Sequence, residues 1–137
     1  MSKAIENLQA AQKRATAIRP QVGGFPYLAE ALRQAGVRRN LWYLPALQSI
    51  YITDEGPVVN QGTPLITGMA DVPDFNREAV ITAVRTDQAG RSTFPEFLAA
   101  VWQSGVVRYE VDLLKRTVSY FGINEENYVE EYPSVKV

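Results

Sequence analysis

The chain has 137 residues, 46% hydrophobic and 21% charged, a composition for one ordered domain of ordinary size rather than a disordered segment. Fourteen Lys and Arg against fifteen Asp and Glu leave a net charge of −1, which supplies no global field for nucleic acid or acidic lipid. With no cysteine and no histidine, disulfides, thiolate nucleophiles, Cys-type zinc sites, Ser–His–acid triads and imidazole proton shuttles are all excluded.

What remains for catalysis is carboxylate acid–base work, a Lys or Tyr route, or an oxygen-ligated divalent cation. No cofactor and no metal are expected. The N-terminus lacks a secretory layout, and the aromatic-apolar run Leu41–Leu47 is broken by Pro45, far short of the roughly 20 residues that span a bilayer. The expectation is a cytoplasmic protein that engages neither membrane nor nucleic acid.

In residues 4–18, Ile5, Leu8, Ala11, Ala15 and Ile18 recur at spacings of three and four, predicting an amphipathic helix that ends before Pro20. Gly23-Gly24 makes a turn, and Phe25-Pro26 opens a second helix with Leu28, Ala31, Leu32 and Ala35 on its apolar face and Gly36 as its stop. Val37–Leu44 and Leu47–Thr53 read as strands, followed by a turn at residues 54–57 and a short strand near Val58. Residues 61–73 read as an ordered connecting loop. Asp74 is the expected N-cap of a helix to about Ala89, with Phe75, Ala79, Val80, Ala83 and Val84 on one side. Phe94-Pro95 starts a fourth helix, burying Phe97, Leu98, Val101 and Trp102 and stopping at Gly105. Val106–Leu113 and Arg116–Phe121 form a hairpin, and a last strand covers about Asn127–Tyr132.

The second description repeats the first. Residues 25–52 set on 94–121 without gaps give nine identities: Phe25/Phe94, Pro26/Pro95, Ala31/Ala100, Gln34/Gln103, Gly36/Gly105, Val37/Val106, Arg39/Arg108, Leu44/Leu113 and Tyr51/Tyr120. Chance gives about two at ordinary residue frequencies. The fold class is therefore α+β, an internal duplication of a helix-helix-β-β-β unit whose antiparallel sheet or sheets are covered by helices. One domain over residues 1–137 is expected, with pseudo-repeats of about 4–60 and 74–132.

Period-two alternation puts Arg108, Glu110 and Asp112 on one strand face and Val107, Tyr109 and Val111 on the other. An arginine beside carboxylates can hold an anion or fix an acid–base group; the plainer alternative is a solvated face with cross-strand ion pairs. Trp42, Tyr43 and Tyr51 either stack on a ligand or pack the core. A calcium loop ending at Glu96 fails, because Arg85 and Ala89 fall where oxygen ligands are needed. Gly23-Gly24 lacks the spacing of a phosphate loop. Residues 1–70 hold seven basic and four acidic residues, and residues 71–137 seven and eleven, an asymmetry that suits self-association or two separately solvated surfaces.

Val22-Gly23-Gly24-Phe25-Pro26, Gln61-Gly62-Thr63-Pro64-Leu65, Gly68-Met69-Ala70-Asp71-Val72-Pro73, Phe94-Pro95-Glu96-Phe97 and Gly105-Val106-Val107-Arg108-Tyr109 together resemble the YbcV-like family, small bacterial proteins often labelled phage envelope proteins. The resemblance implies a bacterial protein of unknown function and carries over no site residue. The leading expectation is a non-catalytic binding protein, a homodimer or the holder of a small anionic or aromatic ligand or a protein partner, with Arg39, Arg108, Tyr109, Tyr51 and Tyr120 as contact residues. The alternatives are a carboxylate enzyme built on Asp112 or Glu110 with Arg108, and a phage-related structural or assembly protein.

Overall fold

The computed structural model describes residues 2–137. Helix α1 (Lys3–Ile18) begins at Ser2, whose hydroxyl accepts from the Ile5 amide. Its buried stripe is Ala4, Leu8, Ala11 and Ala15; Ile5 is half-buried and Ile18 exposed, contrary to expectation. Small residues at this spacing let α2 (Phe25–Gln34) approach closely, and the bulkier isoleucines fall to the flanks. Strands β1 (Val37–Tyr43), β2 (Gln48–Thr53) and β3 (Gly56–Gln61) follow as a meander.

Helix α3 (Arg77–Gln88) starts two residues later than Asp74 predicts. Asn76 is the cap: its Oδ1 accepts from the Ala79 amide and its own N–H donates to the Ser104 carbonyl, 2.8 Å away. Phe75 is held outside the helix against Gly105, where an added Cβ would lie 2.4 Å from the Phe75 Cα. Helix α4 (Phe94–Gln103) opens with a reciprocal capping box between Thr93 and Glu96, and β4 (Arg108–Asp112), β5 (Thr117–Phe121) and β6 (Asn127–Glu131) complete a second meander.

The helix-helix-strand-strand-strand unit thus occurs twice, and its meanders join along β1 and β4 into one antiparallel sheet of order β3-β2-β1-β4-β5-β6. Positions matched by the repeat share conformation, whether identical or not. Gly36 and Gly105 stop α2 and α4 at φ +93° and +91°, and the hairpin residues Leu47 and Arg116 sit at φ 50° and 56°. Leu44 and Leu113 are both fully buried.

The helices pack on one face of the sheet. Each unit's second helix also reaches the other unit: the Phe94 ring of α4 meets Trp42 of β1 edge-on at 5.3 Å, and the Phe25 ring of α2 meets Tyr132 at 5.1 Å. The two halves therefore share one hydrophobic cluster, running from Leu8 and Leu32 through Tyr51, Val111 and Tyr120 to Val80 and Val101. No helix among the described residues is long and apolar enough to cross a membrane.

Candidate functional site

Strand alternation divides the five predicted contact residues between the two faces of the sheet. Tyr51, Tyr109 and Tyr120 lie beneath the helices and are buried. Opposed residues Trp42, Tyr109, Tyr120 and Tyr128 form an aromatic ladder across β1, β4, β5 and β6, with successive ring centroids 5.8, 5.4 and 6.2 Å apart. Phe94 and Phe97 of α4 close over its first members. Burial raises the phenol pKa values of all three candidate tyrosines, that of Tyr109 most strongly, so they are neutral core groups at ordinary pH. The tyrosine part of the expected site is architecture.

Arg39 and Arg108 occupy the other, uncovered face and converge on one carboxylate. Arg39 Nη2 lies 3.1 Å from Glu110 Oε2, and Arg108 Nη1 lies 3.1 Å from Glu110 Oε1. Arg108 also pairs with Glu125 at 2.9 Å and stacks over the Phe121 ring at 3.9 Å. Asp112 is occupied as a turn cap, accepting from the Leu114 and Lys115 amides. A carboxylate clamped between two guanidinium groups on an open sheet, beside one tied to a turn, does not have the setting of an acid–base pair. Among the described residues no group of three or more acidic side chains is placed to hold a metal ion.

The register sets out the rest of this face. Its middle row, across β3-β2-β1-β4-β5-β6, is Val59, Ile50, Leu41, Glu110, Ser119 and Val129. On one side run Gln61, Gln48, Tyr43, Arg108, Phe121 and Asn127; on the other run Pro57, Ile52, Arg39, Asp112, Thr117 and Glu131. The first half of the sheet thus presents Leu41, Tyr43, Ile50, Ile52 and Val59 outward, the last 60% exposed. Strand β2 departs from an ordinary one-sided sheet strand: Ser49 and Thr53 go under the helices with Tyr51, and both isoleucines, half-buried, lie on the other face. Among the described residues the buried Ser49 hydroxyl finds no hydrogen bond of ordinary geometry.

Sequence reasoning missed this apolar half, although the signal was present in Gln48–Thr53, where apolar residues occupy both strand faces. It also missed a polar cluster at the far edge. There Glu130 accepts from Arg85 at 2.6 Å and from the Tyr128 hydroxyl, and Arg77 stands over the Tyr128 ring. On the helix side, two shallow grooves of about 510 and 390 Å³ run outside the helix pairs, the first lined by Ala10, Ala11 and Ala31 and the second by Ala79, Ala83 and Ala100. These grooves follow from the close approach of small-residue helix faces; Asn7, Arg14 and Gln34 also line the first, and Thr82, Thr86, Ser92 and Ser104 the second.

A family model described as "Protein of unknown function (DUF1398)" matches residues 13–131. The chain is 58% identical over 136 residues to the uncharacterized protein Rv2012 of Mycobacterium tuberculosis and to the uncharacterized protein Mb2035 of Mycobacterium bovis. Each alignment covers 99% of this chain and 83% of the relative. The expectation drawn from the resemblance holds at that level, bacterial relatives of unknown function.

Proposed function

Starting from the fact that the chain belongs to the DUF1398 family of proteins of unknown function, we propose that it is a non-catalytic interaction protein whose working surface is the uncovered face of the sheet. The observation that carries this reading is strand β2, which keeps Ser49 and Thr53 beneath the helices with Tyr51 and sets both isoleucines on the uncovered face. A sheet whose second face meets only water places its β-branched apolar residues inward and polar ones outward. Here Ile50 and Ile52 point outward beside Leu41, Tyr43 and Val59, next to an Arg39–Glu110–Arg108 cluster whose charges already compensate one another. An apolar patch rimmed by fixed, paired charges is the composition of a protein-binding surface rather than of a small-molecule cleft. Arg39 and Arg108 are kept as contact residues; the tyrosines support the sheet from behind.

The test is native mass spectrometry and size exclusion of the protein from cell extract, comparing wild type with Ile50→Lys and with the helix-face control Thr82→Lys. A specific complex, of like or unlike chains, should be lost in Ile50→Lys and kept in Thr82→Lys, with circular dichroism unchanged in both. Identical complexes in all three proteins, or a free chain throughout, would overturn the assignment. The same face also serves the reading as a phage-related assembly component, which requires open-ended growth with concentration instead of one discrete complex.

A further inference from the structure

We infer that the occupant of the uncovered face is a second copy of this chain, related by a two-fold axis that runs along the row Val59–Ile50–Leu41–Glu110–Ser119–Val129. This rests on the proposed interaction surface and names its partner.

A two-fold axis lying between two stacked sheets can run parallel or perpendicular to the strands. The parallel axis would lay the apolar β1–β3 half of one copy on the polar β4–β6 half of the other. The perpendicular axis lays each strand over its own counterpart in reverse. Leu41, Ile50 and Val59 then meet their own copies, and the two flanking rows exchange places. In β4 that exchange sets Arg108 of one copy opposite Asp112 of the other, twice. These two residues lie on either side of Glu110, about 7 Å along the strand from the axis. Aligned sheets pack rotated by about 30°, which displaces groups at that radius by about 3.5 Å, within the reach of an arginine. Glu110 does meet its counterpart on the axis, but each carboxylate is already clamped by Arg39 and Arg108 of its own chain. Per copy, Arg39 and Arg108 balance Glu110 and Asp112 on the strands, and the Glu125 that also pairs with Arg108 comes from an exposed turn at the rim.

The dimensions fit a modest dimer. Six strands at about 4.8 Å spacing and about five residues in length give a face of about 500 Å² in plan, before side-chain relief is added. Standard interfaces begin at about 600 Å² per partner. Area supplied by the apolar half drives association, and the reciprocal Arg108–Asp112 contacts fix the register.

Charge reversal in trans tests the geometry. Sedimentation velocity should give twice the chain mass for wild type and the chain mass for Arg108→Asp alone and for Asp112→Arg alone, since each places like charges opposite one another twice. Mixed in equal amounts, the two variants should recover the dimer, because both contacts then pair opposite charges, one as in wild type and one with reversed sign. Ile50→Asp, which leaves the ion cluster and the turn cap in place, should also be monomeric, and circular dichroism checks that every variant is folded. A monomeric wild type, or no recovery in the mixture, overturns the inference. If wild type is a monomer but Ile50→Lys loses a complex with another protein, the interaction surface stands and the second copy falls. A wild-type dimer untouched by any of these changes places the contact elsewhere, and both fall.

Discussion

Alanine at the two helix stops, Gly36 and Gly105, should have unequal consequences that the local surroundings allow to be worked out. Both residues sit near φ +90°, where an L side chain is strained by about 1–2 kcal/mol. At Gly36 the new Cβ would stand 3.1 Å from Asp54 Oδ2, the end of an exposed side chain that makes a surface ion pair with Arg38. That carboxylate can swing aside, so the total stays near 1–2 kcal/mol. At Gly105 the Cβ would lie 2.4 Å from Phe75 Cα and 2.5 Å from Asp74 O, both backbone atoms, so the segment entering α3 must move. Moving it breaks the bond from the Asn76 amide to the Ser104 carbonyl and disturbs the Asn76 cap, about 1 kcal/mol each, and it loosens Phe75 from the core by about another. Gly105→Ala should therefore cost about 4–5 kcal/mol. Urea unfolding followed by circular dichroism separates the two: a small shift in midpoint for Gly36→Ala and a loss about three times larger for Gly105→Ala. Equal losses would show that the loop ahead of α3 does not lean on Gly105 and would refute the packing argument.

Tyr109 and Tyr120 are buried and make no hydrogen bond to a protein group among the described residues, so replacing either by Phe should leave stability unchanged or raise it by up to about 1 kcal/mol, whereas Tyr128→Phe, which releases Glu130, should lower it by about as much; thermal melts compare the three, and a loss for Tyr109→Phe would reveal a structural bond to its hydroxyl. In alkaline titration followed by absorbance, raised phenol pKa values mean that the folded state holds its protons past the unfolded value, so this contribution is intact below pH 10 and is lost as the pH climbs above it. Tyr132 is pushed by burial to about 12, and burial also raises Tyr109 and Tyr120, so these three should ionise above the ordinary phenol range; phenolate signal from Tyr109 or Tyr120 in the folded protein near pH 10 would contradict this. Glu30 is held below the usual carboxylate range, chiefly by its hydrogen bonds from Arg33, so its stabilisation is present above the unfolded carboxylate pKa and is lost as the pH falls through the folded one. Glu30→Gln should accordingly narrow the difference between urea midpoints measured at pH 7 and pH 3; an unchanged difference would remove Glu30 from the acid response.

Helices and strands were legible because local rules and global packing agree along most of the chain. Proline at the first turn and glycine at the stop are required by backbone sterics wherever α2 and α4 occur, and the repeat at a spacing of 69 doubled that evidence. The start of α3 was misplaced because Asp74 and Asn76 are chemically similar caps, and the choice between them is made by Gly105, distant in sequence, against which the backbone of Asp74 and Phe75 packs. The stripe of α1 drifted for a related reason: periodicity places an apolar arc but does not say whether its centre must be small, and the approach of α2 decides for Ala4 and Ala15 over Ile5 and Ile18.

The candidate site was legible in its residues and illegible in its division. Repetition singled out Arg39, Arg108, Tyr51 and Tyr120 together, since a duplicated unit preserves framework and surface positions alike. Strand alternation then sends the arginines and the tyrosines to opposite faces, and only the placement of four helices on the tyrosine side says which face is closed. With that face known, the meaning of Ser49, Ile50, Tyr51, Ile52 and Thr53 changes: two isoleucines that would read as core are the outward ones, and the buried Ser49 hydroxyl makes no hydrogen bond of ordinary geometry among the described residues. Keeping serine and threonine beneath the helices while isoleucine faces out gives up core burial. Folding of the isolated chain does not explain that arrangement; the interaction surface proposed above would.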